Sequence, residues 1–290
     1  MVAAAKVKRA EGRMKAGRPY TDALYDVMTR VYNELKNHVK ALSESRYVEL
    51  LAPRPIKNVG IVVVSSDRGL CGSYNTSVIK QAFQLERAIK EKGLTPKFFL
   101  VGNKVINAFN RYSNSEVLGK LGDCTAAPQV EHANEIAEVM TKAFVDGEVD
   151  SIEVLSTDFI SMISYKIHLT SVIPIKGKLK EHQPVIDPSQ GYVTEQVHEP
   201  SKEVKPELLL EPDPVETLDQ LLPMYMSNVL YLLLLEACAS ELAARMTAMS
   251  NATKNAGDMI DRLTLDYNKA RQAAITQELL EVVAGAEALG

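Results

Sequence analysis

Hydrophobic and polar positions along this chain change period twice. From Val2 to about Ser45 there is no strand pattern, and Leu24, Val27, Val31 and Leu35 recur at steps of three or four. That spacing predicts a long amphipathic helix with its apolar face against a neighbour. A bend is expected near Gly17-Arg18-Pro19, because proline removes a helical hydrogen bond. The middle of the chain alternates. Val59–Val64, Lys97–Val101, Ser151–Ser156 and Lys166–Pro174 suit strands, with helices expected over Ser73–Lys92, Lys104–Tyr112 and Glu131–Phe144. Such alternation implies a compact α/β domain with a largely parallel sheet.

Between Lys176 and Asp213 prolines and charges accumulate, and the segment is expected to leave the core, with a small hairpin around Gly191-Tyr192-Val193. Asp213-Pro214-Val215-Glu216 then combines an N-cap, a proline at the first helical position and an early glutamate, so a helix should start there. From Leu235 the spacing becomes an unbroken 4,3,4,3 through Ala239, Leu242, Met246, Met249, Thr253, Ala256, Ile260, Leu263, Tyr267, Ala270 and Ala274. A stripe of period 3.5 is the seam of a left-handed coiled coil. A helix from Val215 to Glu287 would be on the order of 100 Å long at 1.5 Å per residue, a rod rather than a core helix. Its natural companion is the N-terminal helix. The predicted fold is therefore α/β, an antiparallel coiled coil of the N- and C-terminal helices plus a central Rossmann-like α/β domain. Its expected parts are a helix over 1–50, the α/β domain over 51–175, the excursion over 176–213 and the long helix over 214–290.

Composition narrows the chemistry. The 290 residues carry a formal charge of −4 and a pI near 5.8, which gives no general attraction to nucleic acid or anionic lipid. The longest purely apolar run, Val229–Leu235, is far short of the roughly 20 residues that span a bilayer, so any membrane link is expected to run through partners. Met1–Ala10 is alanine-rich and basic, without the apolar core of a signal peptide. Cys71, Cys124 and Cys238 lie far apart and suggest neither a disulfide framework nor a zinc site. The five histidines show no ligand spacing, so no metal and no cofactor is expected.

The segment most suggestive of catalysis is Ser65–Gly72, SSDRGLCG, directly after the apolar run Ile61–Val64. It matches neither GxxxxGK[ST] nor GxGxxG, and no histidine neighbours Cys71 in sequence to act as its base. Two readings stand: Cys71 as a nucleophile, or an architectural turn in which Gly69 and Gly72 supply unusual backbone shapes while Asp67 and Arg68 fix a turn or a contact. The long helix bears Arg245, Lys254, Asn268, Arg271, Gln272, Thr276 and Glu278 on a polar surface that serves equally as a solvated face or as a set of directional contacts. On residues alone, a small thiol enzyme with a coiled-coil arm and a coiled-coil scaffold also remain open.

The sequences ELAARMTAMSNATKNA (Glu241–Ala256) and YNKARQAAITQELLEVVAGAEAL (Tyr267–Leu289) resemble the C-terminal signature of the gamma subunit of F-type ATP synthases. MVAAAKVKRA (Met1–Ala10) resembles its N-terminal helix, and DRGLCGSYN (Asp67–Asn75) its DRGLCG motif. The resemblance covers both ends and the middle, in order. Family members usually carry further residues before this segment, so the deep end of the shaft is expected to lack part of its companion and to expose Ala270 and Ala274. The resemblance implies a non-catalytic rotor shaft turning inside a ring of alpha and beta subunits, its α/β domain seated on the epsilon subunit and the c-ring, which together couple proton flow to ATP synthesis in beta. It further implies that Arg271, Gln272 and Thr276 touch the catch loop of a beta subunit and that Arg245 is another shaft contact. The Lys176–Asp213 excursion resembles the insertion of photosynthetic members but has no cysteine, which excludes thiol switching through it. A thylakoid enzyme of a plastid or cyanobacterium is expected, peripheral on the stromal or cytoplasmic side.

Overall fold

The first helix, α1, runs unbroken over Val2–Leu35 with Pro19 inside it. Its buried positions are Val7, Ala10, Met14, Thr21, Leu24, Met28 and Val31, with Gly17 continuing the same alternation of three and four. This is a heptad stripe, finer than the face predicted from sequence. Leu24 and Val31 lie on it, but Val27 is 36% exposed, because one position of offset turns a side chain about 100° around the axis and Met28 occupies the seam instead. The computed structural model describes residues 2–35, 47–51, 54–175, 186–187, 191–192 and 213–287. The predicted continuation of α1 to Ser45 lies outside them.

The first unit of the protein, Met1–Met246, is built on a five-stranded sheet of order β3-β2-β1-β4-β5. The chain enters it through a 3-10 turn at Val48–Leu51 and alternates β1 (Asn58–Val64), α2 (Tyr74–Glu91), β2 (Thr95–Val101), α3 (Asn103–Tyr112), β3 (Glu116–Leu121), α4 (Val130–Val145), β4 (Ser151–Ser161) and β5 (Ser164–Ile173). Strands β1 to β4 are parallel and β5 returns antiparallel on β4. The central strands are buried on both faces, which explains why they read as continuous apolar runs rather than alternating ones. Val59, Ile61, Val63, Phe98 and Leu100 pack beneath α2 and α3, while Val62, Val64, Phe99 and Val101 face α4 and the long helices.

Strand β3 was not anticipated. It is a half-buried edge with two charged residues and a glycine, so it carries little apolar signal. A Cβ on Gly119 would collide with the Phe99 ring, so the neighbouring strand demands glycine there. Strand β4 also extends past the predicted Ser156 to Ser161.

The last helix, α5, spans Pro214–Glu287, 74 residues. Its start is as predicted: the Val215 N–H donates to Asp213 Oδ2 at 3.2 Å, and Pro214 occupies the first helical position. From Leu218 to Ala243 its apolar face is buried in the first unit. Val7 and Ala10 pack with Cys238, Ala239, Leu242 and Ala243; Met14 packs with Leu232 and Leu235; the Tyr25 and Tyr225 rings sit 5.9 Å apart. Later residues of α1 meet earlier residues of α5, so the pair is antiparallel as expected. By length and composition α5 also contains a window apolar enough to cross a membrane, longer than the uninterrupted run suggested, but 67% of it is buried inside the protein, as befits a core helix.

The second unit, Thr247–Gly290, is described only by the remainder of this helix. From Met249 to Ala286 its residues are exposed, with Asn268 alone intermediate. Met249, Ile260, Leu263 and Tyr267 keep the predicted seam spacing and are exposed. Thr253, the polar member of the seam, donates its hydroxyl to the Met249 carbonyl at 2.9 Å. In the 176–213 excursion, Ile186–Asp187 pairs antiparallel with Gly191–Tyr192, the hairpin expected at Gly191; Val193 and the rest lie outside the described residues.

Candidate functional site at the carboxyl end of β1

Strand order reverses beside β1: the chain moves outward to β2 and β3, then crosses back to β4 on the other side. Open α/β sheets bind ligands in the crevice at such a switch point. The Ser65–Gly72 turn stands there, and the side chains of Ser65, Ser66, Asp67 and Cys71 point into structure. Asp67 accepts from the backbone N–H groups of Asn103 (3.0 Å), Asp123 (2.9 Å) and Thr125 (2.9 Å) and from the Thr125 hydroxyl (2.7 Å). It therefore ties the first residue of α3 to the loop after β3. Burial pushes its carboxyl upward, but the bonds from Thr125, Asn103 and Asp123 outweigh burial and hold it below the usual aspartate value.

The Ser66 hydroxyl lies 2.6 Å from the Arg68 carbonyl and 2.8 Å from Asn75 Oδ1. Asn75 Nδ2 donates to Cys71 Sγ at 3.1 Å and to the Arg68 carbonyl at 3.2 Å. Cys71 is 2% exposed, and Ser66, Asn75 and the Arg68 carbonyl around it offer no base. A nucleophilic Cys71 is therefore poorly served by its surroundings. The turn's backbone differs from the architectural expectation at one glycine. Gly72 does adopt the left-handed region (φ 60°), but Gly69 does not; the second left-handed residue is Leu70 (φ 64°), whose side chain is 78% exposed. Arg68 contributes its carbonyl, and its side chain is exposed. What Gly69 supplies is also a carbonyl: Arg245 donates to it from Nε at 3.4 Å and Nη2 at 3.3 Å.

The crevice itself is filled by α5. Fully buried Tyr74, at the start of α2, places its hydroxyl 3.0 Å from Thr157 Oγ1 and 3.2 Å from the Ala237 carbonyl. Ser240 donates to the Thr157 carbonyl at 3.3 Å. Glu241, 2% exposed, pairs with Arg245, and its Oε2 has no hydrogen-bond partner. Burial raises the Glu241 carboxyl above the usual glutamate value, and the Arg245 guanidinium only partly opposes this. Burial likewise pushes the Cys124 and Cys238 thiols up to about 12, away from thiolate chemistry.

The fold thus brings together Asp67, Arg68, Gly69, Cys71, Gly72 and Arg245, which sequence reasoning named, with Asn75, Thr125, Tyr74, Ser240 and Glu241, which it missed. The Glu241–Arg245 pair was legible as an i,i+4 ion pair in the favourable order. The remaining partners are brought in by tertiary folding. Arg271, Gln272 and Thr276 belong to the second unit and are exposed; Thr276 donates its hydroxyl to the Gln272 carbonyl at 2.8 Å, which leaves its methyl group and an acceptor to face outward.

Residues 1–289 match the protein family described as ATP synthase. The ATP synthase gamma chain of Nostoc punctiforme is 42% identical over 300 residues, covering all of this chain and 92% of that one. That of Crocosphaera subtropica is 42% identical over 296 residues with the same coverage. Among solved structures, the central stalk and c-ring of the Tetrahymena thermophila mitochondrial ATP synthase contains a similar chain, with a TM-score of 0.59, 23% identity, and coverage of 87% of this chain and 96% of that one. A chain of the Euglena gracilis mitochondrial enzyme scores 0.56 at 17% identity, covering 99% and 95%. A sheet whose ligand crevice is taken up by the chain's own helix, an antiparallel pair of terminal helices, and sequence identity sustained over the full length lead to one conclusion: this chain belongs to the ATP synthase gamma family, the non-catalytic central-stalk subunits.

Proposed function

We propose that this chain, a rotor subunit of the F-type ATP synthase, engages the alpha and beta subunits through the polar surface of the second part of α5, with Arg271, Gln272 and Thr276 meeting a beta subunit. The supporting observation is the exposure of these side chains on a helix whose first part is buried in the α/β domain. Arg245, anchored on Gly69 and Glu241, is a further shaft contact. The α/β domain is the seat for the epsilon subunit and the c-ring, so membrane attachment is indirect. Coupling by a shaft requires different contact energies in different orientations and no pocket on the shaft. Individually modest polar contacts suit a part that must leave each partner in turn. Kinship with cyanobacterial chains supports a place at the thylakoid membrane, peripheral, on the side that holds the ATP-making head.

Co-expression with alpha and beta subunits, affinity capture and an ATP hydrolysis assay provide the test. The chain should co-purify with both and raise hydrolysis, and Arg271→Ala/Gln272→Ala should weaken this while leaving the chain folded. Recovery of a self-associated chain free of alpha and beta would replace this reading with that of a scaffold.

A further inference from the structure

Apolar side chains from Leu218 to Ala243 hold α5 in the first unit. Such contacts are non-directional, whereas hydrogen bonds fix an orientation. Besides the weak bond from the Cys238 thiol to the Ala126 carbonyl at 3.8 Å, three sets of hydrogen bonds join α5 to different elements at the carboxyl end of the sheet within little more than two turns. Tyr74 of α2 donates to the Ala237 carbonyl at 3.2 Å, Ser240 donates to the Thr157 carbonyl of β4 at 3.3 Å, and Arg245 donates to the Gly69 carbonyl of the β1 turn. Glu241 pairs with the same Arg245, and one of its oxygens has no partner although the residue is 2% exposed. A buried, half-satisfied carboxylate is a poor choice for stability alone. Its evident effect is to hold the Arg245 guanidinium on Gly69.

We propose that Ala237–Arg245 is a polar collar that fixes the rotational setting of α5 in the α/β domain, so that torque passes between them here, with Glu241 as the residue that positions Arg245. This rests on the rotor role and not on the beta-subunit contacts. Tyr74, Ser240 and Glu241 are all 2% exposed or less. Tyr74 and Ser240 do not bond Arg245, so changing those two leaves untouched the surface offered to other subunits. Changing Glu241 also releases Arg245, and the Tyr74→Phe and Ser240→Ala variants separate the two effects.

The test uses the complete ATP synthase in sealed vesicles and reads protons pumped per ATP hydrolysed. In Tyr74→Phe/Ser240→Ala/Glu241→Gln the ratio should fall about twofold or more while hydrolysis continues, since each internal hydrogen bond shifts a local equilibrium by roughly two- to tenfold. Leu234→Ala, which weakens the same region through an apolar side chain, should lower the melting temperature at least as much and leave the ratio unchanged. A wild-type ratio in the triple variant overturns the collar, as does an equal fall in Leu234→Ala, which would tie coupling to stability alone. If the triple variant does not assemble, Ser240→Ala and Tyr74→Phe singly carry the same comparison. A wild-type chain that assembles without supporting pumping would overturn the rotor reading itself, and the collar with it.

Discussion

Helix α5 carries one sequence rhythm through two stretches with opposite surroundings. Leu230, Leu233 and Leu234 are buried among residues of the sheet, α1 and α4, whereas Leu263, Leu265 and Leu280 are 59%, 63% and 64% exposed. The seam residues Leu235, Ala239 and Leu242 are buried, and Ile260 and Tyr267, at later positions of the same spacing, are exposed. Periodicity therefore reports that a helix has an apolar stripe. It does not report whether anything covers the stripe. Coverage is a property of the rest of the fold.

The sharpest way to break this contrast is truncation in each stretch. Leu233→Ala should destabilise the isolated chain by about 2–5 kcal/mol, since it empties a packed site. Leu263→Ala should stay within about 0.5 kcal/mol of wild type, because its side chain is already in water. Denaturant titration of the two variants compares them directly, and equal losses would mean that the exposed stripe is covered in solution.

Glycines sharpen the contrast through the sign of the effect. Gly119→Ala should cost about 1–3 kcal/mol by forcing the Phe99 ring aside. Gly257→Ala meets nothing within 4 Å on an exposed helix and should stabilise by about 0.5–1 kcal/mol. Opposite shifts in the unfolding midpoint are expected.

Two carboxylates extend the comparison to pH. Asp67 is held below its ordinary value of 3.8, so its contribution is present above that pH and is lost as pH falls through the lower, folded value. Asp67→Asn should destabilise at neutral pH and flatten the acid end of a melting-temperature profile. Glu241 has the reverse sign. Its carboxyl is raised above 4.5, so the folded state keeps the proton longer and stability declines as pH climbs from 4.5 through the folded value. Glu241→Gln should remove that decline, a smaller effect, seen as a narrower spread of melting temperatures between mildly acidic and neutral buffer. A wider spread would mean that Arg245 holds the carboxylate ionised throughout.

Much of the α/β domain was legible because strands buried on both faces are mostly apolar, as in β1, and the start of α5 because Asp213 and Pro214 suit the N-cap and first position of a helix. The edge strand β3 was not, since half-exposed residues such as Glu116 and Lys120 face little selection for apolarity. Val27 was placed on the wrong side of a seam for a related reason: steps of three or four do not distinguish it from Met28 until a partner helix sets the phase. The turn at Ser65–Gly72 announced itself by its glycines, yet the glycine that needed its backbone freedom was Gly72, and Leu70 took up the other left-handed conformation.

By itself the amino-acid order determined the periods, the helix start at Asp213 and the family signatures, because these depend on residues close together along the chain. Only the tertiary structure decided that Tyr74, Ser240, Glu241 and Arg245 converge on the carboxyl ends of β1 and β4, and that α5 occupies the crevice there. Those contacts join residues up to 176 positions apart, and a directional bond across that separation leaves no trace in local spacing.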